Sequence, residues 1–415
     1  MARPAVQDGH ASELLSPKRS ILALSILLFV LLITIGILQS TLSRALSITF
    51  VFSILLPLAI YSIRHPRLRA ITFVASVIFA LLIVGYSVWA PLPGAAIEGI
   101  PNTDRPIYYA SYEFPPLMVD EKFEPGFRWL VTTVHTFVPF QWFLVGVAYV
   151  FILSIFMLLR SCKLSKLFPA IILLFLTYFA FWSGSLNITR QFLAASLGFI
   201  GFSYWIKGGK NRIGAIFWLV APLIHSSAYI FLAFIPIDLL LKNKYTAVKY
   251  IWIFNFIIFL LNMLGVALLS GVAGSYSRLD TYTDTNFDPG ILESLAKINR
   301  IDFAIFVAIP IFMYFVAERF SYKSQDERLE NPYIGRLVLL YSILSVPFFA
   351  FSFLHFSDRL AYFSFILSPV VLVAVLSSSR VTWQRLVLYT IIPAASIAQY
   401  AFGLYGYTPQ SILLG

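Results

Sequence analysis

Long apolar runs, each near the roughly 20 residues that carry a helix across a bilayer, follow one another along almost the whole chain with short polar stretches between them. They cover residues 20–38, 46–61, 71–90, 142–159, 167–183, 188–206, 250–269, 301–317, 334–353, 360–376 and 386–404. None shows the apolar-polar alternation of a membrane β-barrel, so the pattern predicts an all-α polytopic transmembrane bundle of about eleven or twelve spans. Residues 213–241 break the rhythm. The stretch is long for one helix and is interrupted by Pro222, by His225-Ser226-Ser227 and by Pro236. It reads as a tilted single span or as a broken, re-entrant hairpin.

Loop charge discriminates between these, because Lys and Arg concentrate on the cytoplasmic side. Residues 1–19 form a polar tail ending in Lys18-Arg19, and with this tail inside, the basic loops 62–69, 160–166 and 207–212 also fall inside. The run 20–38 is too long for a signal-peptide core and stays as the first span. A single crossing by 213–241 would place Lys242, Lys244, Lys249, Arg380 and Arg385 outside, against the rule, whereas a hairpin puts them inside. The favoured topology is therefore about eleven crossings plus one hairpin whose apex, His225-Ser226-Ser227, points to the exterior. Non-helical backbone at that depth needs protein or a water-filled cavity around it, so a cavity is expected. The chain divides into the cytoplasmic tail 1–19, a single bundle 20–405 with exterior loops 91–141 and 271–300, and a tail 406–415. Within the first loop, residues 127–137 have the amphipathic pattern of a short interfacial helix.

Composition narrows the chemistry. With 415 residues, 59% hydrophobic, 12% charged and a mean hydropathy of +0.84, the chain is no soluble domain. Its net charge of +11 belongs mostly to short loops, so it signals topology and not nucleic acid. Cys162 is the single cysteine, which rules out an intramolecular disulfide and a thiolate cluster and leaves a small apolar filler. Walker and dinucleotide loops, His-Glu-x-x-His and Gly-x-Ser-x-Gly are all missing, so no cofactor or metal is expected. Asp280, Asp284 and Asp288 lie among glycines and a proline that favour a loop over a divalent-ion site.

The polar residues at the exterior ends of the spans are the candidates for function. Arg190 opens an apolar run, where a charge costs about 2.5 to 3.5 kcal/mol at mid-membrane and less near the interface. Asn187 and Gln191 beside it favour a polar pocket over simple snorkelling. Arg359, next to Asp358, is a second guanidinium on the same face, or an interfacial anchor. Planar guanidinium forks pair bidentately with phosphate oxygens, so the two would suit a membrane-bound diphosphate. His225 is a general base, a hydrogen-bond donor to phosphate or a packing residue, and Glu124 is a proton acceptor or a solvated loop acid. Tyr108, Tyr109, Tyr112, Trp129, Tyr276 and Tyr282 could stack on sugar rings or form an interfacial belt.

Taken in order, these residues resemble a known family. Asp104 with Tyr108-Tyr109, then Glu124-Pro125-Gly126-Phe127, then Asn187-Ile188-Thr189-Arg190-Gln191-Phe192-Leu193-Ala194, then His225-Ser226, and finally Asp358-Arg359-Leu360-Ala361-Tyr362, are similar to the EpsG-like branch of the Wzy-type bacterial polysaccharide polymerases. The resemblance spans Asp104 to Tyr362. It implies a class C type integral-membrane glycosyltransferase on the outer face of the bacterial cytoplasmic membrane. Such an enzyme joins oligosaccharide repeat units carried on undecaprenyl diphosphate, with no nucleotide sugar or ATP. By similarity, Arg190 and Arg359 would hold the donor diphosphate, Glu124 or His225 would activate or orient the acceptor hydroxyl, and Asn187, Gln191, Asp358 and Tyr362 would complete the binding site. The implied partners are the undecaprenyl-diphosphate-linked glycan, the lipid bilayer and, as a candidate, a chain-length regulator.

Two rival readings are a ligase that moves a glycan from the same carrier to another acceptor, and a flippase for the lipid-linked sugar. The flippase would show inverted halves with matched broken helices. Only one broken segment is evident from the pattern.

Overall fold

In the computed structural model the described residues are 41–89, 105–120, 123–207, 211–241, 243–264, 301–321, 333–352, 357–379 and 381–402. The expected first span at 20–38, the exterior loop 271–300 and both tails lie outside them. Regular structure among the described residues is helical throughout, with no strand. In chain order the helices are α1 (Thr41–Ser62), α2 (Pro66–Trp89), α3 (Arg105–Glu113), α4 (Leu117–Asp120), α5 (Pro125–Val134) and α6 (Phe140–Ser161). They continue with α7 (Phe168–Phe175), α8 (Phe179–Leu186), α9 (Thr189–Ile206), α10 (Asn211–Ile224), α11 (Ile230–Leu240) and α12 (Lys244–Met263). The last are α13 (Ile301–Ser321), α14 (Tyr333–Ala350), α15 (Ser357–Ser378), α16 (Thr382–Leu386) and α17 (Ile392–Phe402).

Six of these helices, α2, α6, α12, α13, α14 and α15, are long and apolar enough to cross a membrane, which makes this a multi-pass membrane protein. The expected span at 167–183 is not one helix. Ser165–Phe175 and Phe179–Leu186 meet at an angle of 75°. At the break the backbone tightens into i→i−3 hydrogen bonds from Leu176 to Leu173, Thr177 to Leu174 and Tyr178 to Phe175. The indole of Trp182 donates to the Leu176 carbonyl at 2.9 Å, satisfying a group the bend would otherwise strand. Across the bundle, Trp252, Asn255 and Asn262 of α12 donate to Ser342, Ser345 and the carbonyl of Phe349 at 3.0 to 3.1 Å, tying α12 to α14 by interhelical hydrogen bonds.

α9 is the central strut, and residues 213–241 double back along it. Near the Trp205 end, a Cβ on Gly214 of α10 would stand 2.7 Å from the carbonyl oxygen of Gly201, so only glycine permits this approach. One turn further, Trp218 Nε1 donates to the Gly198 carbonyl at 2.8 Å. The chain then turns through His225 and a 3₁₀ turn, Ser226–Tyr229, with Ser227 beside Gln191 near the start of α9. α11 retraces the path. Phe231 meets Phe199 with ring centroids 5.9 Å apart, Phe234 meets Phe202 at 5.1 Å, and Asp238 accepts from Trp205 Nε1 at 3.0 Å. Both arms thus begin and end by the Trp205 end of α9, as the hairpin reading expects. Asp238 is held there by Lys244 at 2.9 Å and Arg336 at 3.4 Å, a buried carboxylate with cations to balance it. Cys162 is fully buried, consistent with a packing role.

Candidate active site

The site forms where the hairpin apex meets the first turn of α9. Glu124 reaches it because of the Pro125-Gly126 that follows. Proline at the first helical position starts α5 and leaves Glu124 extended at φ −62°, ψ 145°. A Cβ on Gly126 would lie 2.7 Å from the Leu223 carbonyl oxygen, so glycine lets α5 rest against the last turn of α10. The Glu124 side chain makes no cap to its own helix and turns to its neighbours instead.

Glu124 Oε2 accepts from Arg190 Nη1 at 2.7 Å, and Oε1 accepts from the backbone N–H of Ser226 at 3.1 Å. Arg190 Nε donates to the Tyr108 hydroxyl at 3.2 Å. The same guanidinium lies 4.1 Å from the ring centre of Phe123 and 5.7 Å from that of Tyr108, a cation–π contact with two rings that pack against each other. At the apex, His225 caps the 3₁₀ turn. Its Nδ1 accepts from the Ser227 N–H at 3.3 Å and sits 2.7 Å from Ser227 Oγ. Gln191, 3% exposed, donates from Nε2 to the backbone carbonyl of Arg359 at 2.7 Å and to Ser227 Oγ at 3.4 Å. One amide therefore joins α9, the hairpin apex and the start of α15.

Burial pushes the Glu124 carboxyl up, but the nearby His225, the Arg190 guanidinium and the Ser226 N–H outweigh it and hold the carboxyl below its usual value of 4.5. The group is ionised at neutral pH. An ionised carboxylate only accepts hydrogen bonds, so it can take a proton from a hydroxyl. The guanidinium beside it can hold phosphate.

Of the residues singled out from the sequence, the structure brings together Glu124, Arg190, Gln191, His225 and the backbone of Arg359. Asn187 ends α8, half-buried, its N–H bonded to the Ser183 carbonyl at 2.9 Å. Tyr362 stands apart from this network. It is 3% exposed, with its hydroxyl on the Ala180 carbonyl at 3.1 Å between α8 and α15. The side chain of Asp358, and residue Asp104, lie outside what is described. The short amphipathic helix forms as α5, with Phe127 and Val131 buried and Trp129 70% exposed. Tyr108 and Tyr112 are buried and so are withdrawn from any sugar, whereas Tyr109 and Trp129 are exposed, and Tyr276 and Tyr282 lie outside the described residues.

Sequence reasoning missed two contributors to this network and one buried charge on the helix that carries Tyr108. The Ser226 N–H carries no residue-type signal, and Phe123 looked like one more apolar residue. Arg105 shares the buried face of α3 with Tyr108 and Tyr112, and burial lowers its guanidinium to about 10. Its signal is present in the sequence, since an arginine between two apolar spans needs either solvent or a partner. Among the described residues, no three His, Cys, Asp or Glu side chains are grouped to hold a metal ion.

Residues 94–413 match the family model described as EpsG family. Neither the curated proteins nor the solved structures contain a match to this chain. The family points to a polysaccharide-polymerase-type role and a glycosyltransferase-type enzyme. As the match covers well over half of its 415 residues, the chain belongs to the EpsG family.

Proposed function

We propose that this protein is a polymerase that joins oligosaccharide repeat units carried on undecaprenyl diphosphate, by glycosyl transfer at the outer face of a bacterial cytoplasmic membrane. The observation that carries the reading is the Arg190–Glu124 pair of 2.7 Å set against the hairpin apex, with α15 and Arg359 tied to the same point through Gln191. A guanidinium has five N–H donors, so Arg190 can hold Glu124, Tyr108 and a phosphate oxygen at once. Arg359 would take the other phosphate. Diphosphate leaves with its charge already spread over oxygens, and fixed cations stabilise what develops further, so two arginines can serve where other enzymes use a metal. Glu124 or His225 activates or orients the hydroxyl of the acceptor repeat. Exposed Trp129 and Tyr109 on the neighbouring short helices are the aromatic faces available to sugars or headgroups.

The test is the product pattern of cells whose own copy is replaced by Arg359→Ala or Arg190→Lys, the second keeping a charge for Glu124 while removing the fork. Expected are normal membrane levels, loss of long polymer and accumulation of single lipid-linked repeats. Unchanged polymer length in both variants would sink the reading.

A further inference from the structure

The apex leaves a chemical question that its hydrogen bonds answer. A backbone N–H can only donate, so the bond from Ser227 N to His225 Nδ1, 3.3 Å long, requires a lone pair on Nδ1. The Gln191 amide is oriented in the same way. Its atom 2.7 Å from the Arg359 carbonyl must be the nitrogen, because that carbonyl only accepts, and the second hydrogen of the same NH₂ group faces Ser227 Oγ at 3.4 Å. Ser227 Oγ therefore receives a hydrogen from Gln191 and passes its own to Nδ1 across 2.7 Å. The chain of donors runs one way, from Gln191 through Ser227 to His225. A neutral imidazole has a single N–H, and with Nδ1 accepting, that hydrogen sits on Nε2.

Resting on the polymerase reading above, we propose that Ser227 is a positioning residue that fixes the proton of neutral His225 on Nε2. His225 is thereby a hydrogen-bond donor to the departing diphosphate, and Glu124 is the carboxylate that takes the acceptor's proton. The acceptor hydroxyl oxygen forms a bond to the anomeric carbon of the donor glycan, and the bond from that carbon to the diphosphate oxygen breaks. Its electron pair leaves with the diphosphate, which the Nε2–H of His225 and the two arginines stabilise. The hydroxyl proton passes to the Glu124 carboxylate. Neutral His225 cannot be the base through Nε2 without first exchanging tautomers, which costs both contacts from Ser227.

The amide nitrogen of a glutamine can occupy the place of Nε2–H and that of an asparagine the place of Nδ1, so substitutions distinguish donor from base. The assay is polymer formation by the purified full-length protein in lipid vesicles supplied with a polyprenyl-diphosphate-linked oligosaccharide. His225→Gln should stay within about tenfold of wild type, while His225→Asn and His225→Ala fall about 100-fold, the scale of losing one transition-state donor. Ser227→Ala should lose about tenfold in kcat with KM little changed, and Ser227→Thr, which keeps the hydroxyl, should restore it. In the His225→Gln background Ser227→Ala should be silent, because the nitrogen that Ser227 orients is gone. With wild type active, a His225→Gln as inactive as His225→Ala at equal membrane level, or a Ser227→Ala equal to wild type, overturns the assignment alone. If His225→Gln fails to insert, Ser227→Ala against Ser227→Thr decides. Wild type that makes no polymer overturns the polymerase reading and this assignment with it.

Discussion

Arg190 Nη1 stands 2.7 Å from Glu124 Oε2, joining positions 66 residues apart in a setting where the two side chains are only 18% and 5% exposed. Removing one member of such a pair strands a desolvated charge, at a cost of about 3 kcal/mol or more. Arg190→Ala and Glu124→Ala should each lower unfolding stability by about that amount, and the double variant should lose clearly less than the sum. Equilibrium denaturation in detergent micelles measures this. Strict additivity would show that the two do not act as a pair.

The depressed Glu124 carboxyl sets the sign of an acid effect. A carboxyl whose folded pKa is below its unfolded value contributes stability above the ordinary value of 4.5, and that contribution is lost as pH falls through the folded pKa. Melting temperature against pH should thus show a wild-type advantage over Glu124→Gln that is constant near neutrality and shrinks below the usual glutamate range. A difference that grows on acidification would contradict the ion-pair account.

Gly126→Ala tests how Glu124 is delivered. The added carbon would press on the Leu223 carbonyl oxygen from 2.7 Å, and neither backbone can yield by rotating a side chain. Overpacking of this kind costs about 1 to 3 kcal/mol and should shift α5, so polymer formation should fall more than protein level does. Activity per unit of inserted protein is the readout, and an unchanged value would mean that α5 does not set the carboxylate.

The doubled-back path of α10 and α11 can be read by labelling. In a Cys162→Ala background, single cysteines at Arg212 and Asn243 should react with an impermeant thiol reagent from one side of the membrane, and one at Tyr229 should not react from that side. Reaction of the first two from opposite sides would show a single crossing.

Much of the fold was legible because hydropathy over about 20 residues reports a membrane span directly. The break at His225 was legible too, since Pro222, Pro236 and three polar residues interrupt an apolar run. The bend between α7 and α8 was not. Leu176, Thr177 and Tyr178 carry no proline or glycine, and the cause lies in tertiary contacts, with Tyr178 reaching the Phe365 carbonyl at 2.7 Å and Trp182 reaching Leu176. At the site, a charge in an apolar setting identified Arg190, but its pairing with Glu124 depends on how α5 packs against α10, which no local pattern encodes. Tyr362 shows the converse. Its motif placed it beside Arg359, and one helical turn carried its side chain into the packing between α8 and α15.

The most direct measurement is polymerisation by the purified protein alone in vesicles containing only a polyprenyl-diphosphate-linked repeat unit, with product length and released polyprenyl diphosphate followed together. Expected is a ladder of lipid-linked oligomers in which each new linkage releases one diphosphate carrier, abolished by Arg359→Ala. Carrier release without chain growth, or transport of the lipid-linked unit across the bilayer with no new glycosidic bond, would contradict the polymerase reading.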